Sequence, residues 1–355
     1  MNALRTIGSA TRLLALPAFL LALAGTSATA RADFDTSLSL DEPVKAAAAP
    51  AKSEAIGGLA PTNLDLSPKA NFLISNERLT PNKEILWPGL LTGLRGFEHF
   101  YEPVGQPIYF ESPFNNTSLR LLYLHHQFSN NSQLNGGHLD VFAAQIRVAL
   151  TERLALIATK DGWSKLRAGL LAADDGWNDL ALGFKYVIFA DREMDLVITP
   201  GIRYQAANGD AGVLQGGSQE FSPFISAAKG FGDLHFIGNV TYRVPLDTDK
   251  GNRILQWDLH ADYEVFKGIA PMIELHGLHY LTNGKRFAAL EVGGLDYANL
   301  GSGNVSGSHV VWMGVGARAK LTPNASIGAT YEFSLTNRSA DIMDKRVTVD
   351  IIFTW

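Results

Sequence analysis

The 355 residues suffice for one large domain or two ordinary ones, and a formal charge of −5 without a basic stripe excludes a nucleic-acid surface. The chain has no cysteine, so disulfides hold no part of it together. Beyond residue 31 no apolar run reaches the roughly 20 residues of a membrane helix, which leaves a soluble globular protein or a membrane β-barrel.

The amino terminus sets the compartment. Arg5 and Arg12 form a positive region, Leu13 to Leu23 an apolar one, and Ala28-Thr29-Ala30 and Ala30-Arg31-Ala32 are small-x-small cleavage sites. Residues 1–32 therefore read as a secretory signal peptide. The competing reading, a short anchoring helix, fails on length. No cysteine follows the apolar region, so a lipoprotein anchor is excluded. Residues 33–78, rich in Ala, Pro, Asp, Lys and Ser, read as a flexible periplasmic segment. Order returns over 79–117. Thr80-Pro81 is placed to start a short helix over Asn82–Leu86, and Trp87-Pro88-Gly89 to stop it.

From about residue 118 the chain alternates with period two, as strands do. Leu180, Leu182, Phe184, Tyr186 and Ile188 alternate with Asp179, Ala181, Gly183, Lys185 and Val187. Leu255, Trp257, Leu259, Ala261 and Tyr263 alternate with Gln256, Asp258, His260, Asp262 and Glu264. About twelve strands follow, near 118–128, 138–150, 154–163, 177–189, 194–206, 219–229, 233–245, 253–265, 270–281, 308–320, 324–336 and 345–355. Short turns alternate with long loops, the rhythm of a membrane barrel whose ends both lie on the periplasmic side. The stretch 287–297 reads either as an extra strand or as half of a hairpin in a long loop.

Facing Lys or Arg towards the bilayer midplane costs about 2–4 kcal/mol, so the charged parity of each strand turns inward. The expected lumen then carries Arg147, Asp179, Lys185, Arg203, His235, Arg243, Asp258, His260, Asp262, Glu264, Glu274, His276, Arg318, Glu332, Arg346 and Asp350. Tyr186, Tyr204, Tyr242, Trp257, Tyr263, Tyr331 and Trp355 fall on the outer face as an aromatic girdle. A soluble barrel would invert both faces. The fold class is thus an all-β, transmembrane antiparallel barrel over 118–355, with a periplasmic N-terminal segment and the outer membrane as its location. Trp87, Phe97, Phe100, Tyr101, Tyr109 and Phe110 need burial. The lead-in 79–117 therefore folds against the periplasmic mouth or enters the lumen as a plug.

The last strand, Arg346 to Trp355, resembles the closing strand of bacterial outer-membrane barrels. That resemblance implies recognition by the outer-membrane assembly machinery through Trp355. The lead-in Phe100-Tyr101-Glu102-Pro103-Val104-Gly105-Gln106-Pro107-Ile108-Tyr109-Phe110-Glu111-Ser112-Pro113-Phe114 resembles that of uncharacterised outer-membrane barrels. Asn178-Asp179-Leu180-Ala181-Leu182-Gly183-Phe184-Lys185-Tyr186 is similar to barrels grouped with the phenol-degradation MetA-type transporters. Trp177-Asn178 stands where that group usually has glycines. The resemblance covers about Phe100 to Trp355, and implies a small barrel passing hydrophobic or aromatic small molecules, without catalytic residues.

Two readings of the lumen stay open: a narrow charge-lined conduit for small solutes, or a structural core of ion pairs in a partner-binding barrel. Antiparallel pairing would bring Asp233 and His235 near Asp262 and Glu264, with His260, Glu274 and His276 a rung away. Such ligand types suit a divalent metal, but the spacing matches no motif, and neither metal nor cofactor is expected. A surface lipid hydrolase would need His126 and Ser129 together. Their separation puts them on opposite faces of a strand, so no enzyme is expected.

Overall fold

The computed structural model describes residues 89–336 and 342–355. The signal peptide, the segment 33–78, the short helix at Asn82–Leu86 and part of the last loop lie outside the described residues. Twelve antiparallel strands close into a barrel. They are β1 (Ser118–Phe128), β2 (Gly137–Ala149), β3 (Leu154–Lys160 and Trp163–Ala168), β4 (Asp174–Trp177, Ala181–Tyr186 and Phe189–Asp191), β5 (Leu196–Gln205) and β6 (Glu220–Phe231). They continue as β7 (Leu234–Pro245), β8 (Ile254–Tyr263), β9 (Ile269–Tyr280), β10 (His309–Thr322), β11 (Ala325–Ser334) and β12 (Met343–Thr354). Each strand pairs with its sequence neighbours, and β1 closes the ring on β12 through Ser118↔Thr354, Tyr123↔Val349 and His126↔Arg346. Closure removes the free edges of the wall, and among the described residues only the short pieces Asp174–Trp177 and Phe189–Asp191 have a strand partner on one side alone.

The alternation read from the sequence falls on the expected faces. Leu182, Phe184, Tyr186, Tyr242, Tyr331 and Trp355 are exposed on the outer wall, while Lys185, Arg243, Asp258 and Glu332 are buried inside. At the extracellular end the outer wall changes character within one rung. The rings of Tyr123 and Phe142 lie 5.0 Å apart and tilted to each other, and the next rung carries His125 and Asp140. The aromatic row therefore marks where hydrocarbon gives way to headgroups. Leu182→Lys, on the outer face of β4, is expected to destabilise the barrel by about 2–4 kcal/mol, measured by denaturant unfolding in lipid vesicles.

The structure departs from expectation in three places. The expected loop 164–176 is largely a hairpin, with Lys165 opposite Asp175 and Arg167 paired to Asp175 at 2.7 Å. Those strand ends stand beyond the aromatic row, where water replaces lipid on the outer side. Charges then occupy the face that is apolar below, and the alternation fades. The stretch 287–297 forms no strand. It folds inside the long loop 281–308, joined by an isolated bridge between Phe287 and Ser302. Nor is the inner wall ionic throughout. Towards the extracellular mouth Leu139, Val141, Leu166, Leu278, Val310 and Trp312 face inward and pack with Val292, Leu295, Tyr297 and Leu300 of that loop. A loop that brings its own apolar residues makes a greasy inner wall favourable, which strand parity alone does not reveal.

Candidate functional site

The lumen is occupied from both ends. From the periplasmic side residues 97–115 enter, turn at Gln106–Phe110, and return to the start of β1. The turn closes with the Phe110 N–H on the Gln106 carbonyl at 3.0 Å. Phe97, Phe100, Tyr101, Tyr109 and Phe110 are all buried; Trp87 lies outside the described residues.

At the periplasmic end the contacts are apolar and aromatic. Phe97, Phe100, Phe110 and Phe114 pack against Val187, Val197, Ala228 and Ile237 of the inner wall. Lys320 donates to the carbonyls of Glu98 and His99, both at 2.8 Å, with its ammonium 3.8 Å from the Tyr101 ring centre. The Tyr101 hydroxyl donates to Glu264 at 2.6 Å, and Arg95 donates to the Trp355 carbonyl at 2.9 Å.

Deeper in, the wall grips the segment's backbone. Arg120 and Arg318 share Asp350, at 2.5 and 2.8 Å. Arg120 also donates to the Pro103 and Val104 carbonyls, and Arg318 to that of Glu102. Across the lumen Glu274 accepts the N–H groups of Val104 and Gly105 at 2.9 and 2.7 Å. A Cβ at Gly105 would lie 2.5 Å from Glu274 Oε2 and 2.9 Å from His276 Nε2, so a larger residue there would push these side chains aside. Gln145 donates to Pro107 O, Arg203 to Ile108 O and Tyr109 O, Lys185 to Ser112 O, and Thr199 to Pro113 O.

Glu111 is the segment's ionic anchor. It accepts two N–H bonds from Arg147, each at 2.8 Å, and one from Lys185 at 2.7 Å. All three side chains are almost fully buried. Burial pushes the Glu111 carboxyl up, but the two cations outweigh it and hold the group well below the usual carboxylate range. A two-toothed guanidinium–carboxylate contact fixes orientation as well as charge.

The remaining expected lumen residues are also placed. Asp258, His260, Asp262, Glu274 and His276 lie on the inner face of β8 and β9, and His235 on β7. Asp262 lies 2.7 Å from His235 and 2.9 Å from His260, which lies 2.9 Å from Glu274. His276 pairs with Asp258 at 2.9 Å. The imidazoles and carboxylates thus engage one another and the inserted backbone. Asp233 does not join them; it is exposed at the periplasmic turn. Asp179 holds Gln205 and the N–H groups of Gly209 and Gly216. Arg346 binds Glu332 at 2.6 Å and Asp296 of the long loop at 2.8 Å. His126 packs on Phe128 inside the barrel, and Ser129 Oγ accepts from the Asn131 N–H. Neither is on the lipid-facing wall.

The two intrusions meet at Arg243. It pairs with Glu220 at 2.9 Å, covers the Tyr109 ring at 4.2 Å, and donates to the Leu295 carbonyl at 2.7 Å. Sequence reading missed Tyr109, Glu111 and Leu295 as partners of the inner wall. The signal for Glu111 was present: a lone carboxylate in a Pro-rich aromatic lead-in, ahead of a barrel with cations turned inward.

Fold and site together define a transmembrane β-barrel of the outer-membrane type with an occluded lumen. No described protein family and no curated protein matches the chain. Among solved structures it is similar to an outer-membrane channel from Pseudomonas putida F1. There the identity is 13%, with 72% of this chain and all of that one covered, and a TM-score of 0.48. The NanC porin matches at 11% identity over 67% of this chain and all of the porin, with a TM-score of 0.42. The KdgM porin, in complex with disordered oligogalacturonate, matches at 12% over 67% of this chain and 99% of the porin, with a TM-score of 0.41.

Proposed function

We propose that the protein is a gated channel for small solutes across the outer membrane, and that residues 97–115 are its gate. One observation carries this reading. The inserted segment contributes no strand to the barrel, so it can withdraw without breaking a ladder hydrogen bond between wall strands. Twelve strands lie between the eight that side chains fill and the 16–18 that leave an open aqueous channel. Vacating such a barrel yields a narrow conduit, whose lining is the inward set from Arg147 to Asp350. The long loop 281–308 is the outer closure, and Arg243 links its position to that of the gate.

The finer relation, to the MetA-type transporters with a hydrophobic or aromatic solute, rests on the Asn178–Tyr186 strand. Recognition by the assembly machinery through Trp355 is part of the same reading. The second reading, a barrel with a permanently filled lumen, is favoured by the number of buried ion pairs that hold the contents in place. Planar-bilayer recording decides between them, comparing the chain with and without residues 33–114. Steady conductance that appears on truncation, against rare openings of the full chain, is the expected result. A channel role is lost if neither form conducts.

A further inference from the structure

Resting on the channel reading above, we infer that Arg147 and Lys185 form the solute site of the open barrel, that its ligand is a small organic carboxylate, and that Glu111 occupies it as a built-in surrogate. Among the described residues, Glu111 is the one carboxylate within ion-pair distance of either cation. Every other inward Arg with a carboxylate partner keeps one when the segment leaves: Arg120 and Arg318 keep Asp350, Arg243 keeps Glu220, and Arg346 keeps Glu332 and Asp296. Arg147 and Lys185 do not. Withdrawal of residues 97–115 leaves both facing the vacated conduit with no carboxylate within ion-pair distance. Two uncompensated positive charges lining a narrow lumen with low-dielectric walls concentrate anions between them.

The surroundings of the carboxylate define the rest of the ligand. Ser226 and Asn239 donate to the Glu111 carbonyl, Thr199 to that of Pro113, and Arg203 to those of Ile108 and Tyr109. This wall presents donors, so the fitting solute carries oxygen acceptors besides its carboxylate. The carboxylates Asp258, Asp262 and Glu274 lie on β8 and β9 and are each engaged by an imidazole. Anion binding therefore belongs to the basic wall. Solute and gate compete for one site, so solute arrival favours the open barrel.

The test uses the full chain with Glu111→Gln, which keeps the side chain's shape and removes its charge. Gluconate is the probe, and sorbitol its uncharged counterpart. By calorimetry in detergent, gluconate is expected to bind Glu111→Gln, and to bind the wild type at least about tenfold more weakly; sorbitol gives no heat with either. In bilayers Glu111→Gln is expected to open more often, to prefer anions, and to show currents reduced by gluconate. Adding Arg147→Gln or Lys185→Gln removes gluconate binding and the anion preference. Lys250→Gln, an exposed cation outside the lumen, changes neither reading. Equal heats for gluconate and sorbitol, or gluconate binding that survives loss of Arg147 and Lys185, overturns the inference. Cation-selective currents through Glu111→Gln overturn it while leaving the channel intact. Silence of every form, truncated chain included, removes the channel reading instead, and the calorimetry still decides whether the carboxylate site exists.

Discussion

Carrying cysteines at 104 and 328, the barrel is expected to stay silent in a bilayer under oxidising conditions and to recover intermittent openings on reduction. The two positions touch, one on the gate and one on the wall. Gly328 of β11 leaves room for Val104, and a Cβ built there lies 2.6 Å from Val104 Cγ2. Because that atom is one bond from Val104 Cβ, the two Cβ atoms would lie about 4 Å apart or less, within the range a disulfide bridges. The chain has no cysteine of its own, so the pair has no competitor. The bridge ties the inserted segment, just ahead of its turn, to the wall beside Arg318, whose guanidinium has to give way to a Cβ 2.9 Å from its Cζ. Residues 104–109 then cannot leave, while the wall ladder is untouched. Either cysteine alone, oxidised in parallel, is expected to behave like the reduced pair. Equal currents before and after reduction, with the bridge verified by mass, would show that this segment is not the gate.

This staple addresses a part of the molecule that strand periodicity does not describe. The barrel was legible because lipid imposes a hard rule: Lys185 or Arg243 facing hydrocarbon is costly, so one charged residue per strand fixes both faces. With the faces fixed, consecutive strands placed Asp233 and His235 near Asp262 and Glu264; His235 stands opposite Asp262, while Asp233 stays exposed at the turn. The rule lapses where lipid ends. It does not reach the hairpin at 163–177, whose outer side meets water, nor the loop 281–308, whose apolar residues face inward. It is silent on residues 97–115, which form no regular element and are placed by single contacts such as Glu111 with Arg147. Aromatic content showed that this stretch requires burial, but only the three-dimensional arrangement shows which cation each carbonyl and carboxylate meets.

Those contacts raise a question of energetics, which Asp350→Asn answers. Asp350 Oδ2 serves Arg120 and Arg318 together, and all three side chains are almost fully buried. An isolated buried ion pair is weak evidence for stability, since desolvation offsets most of its Coulomb gain. Removing the negative charge alone is another matter, because two guanidinium groups then face each other with only neutral acceptors around them, among these the carbonyls of residues 102–104 and the Ser326 hydroxyl. Asp350→Asn is therefore expected to destabilise the barrel by about 3–5 kcal/mol, whereas Arg120→Met with Arg318→Met and Asp350→Leu stays within about 2 kcal/mol of the parent. Denaturant titration in vesicles measures both. The triple variant also loses the donors that hold residues 102–104, so it should combine near-normal stability with frequent channel opening. A cost below about 1 kcal/mol for Asp350→Asn would mean that water reaches the two arginines. The lumen would then be hydrated around the gate rather than sealed by it.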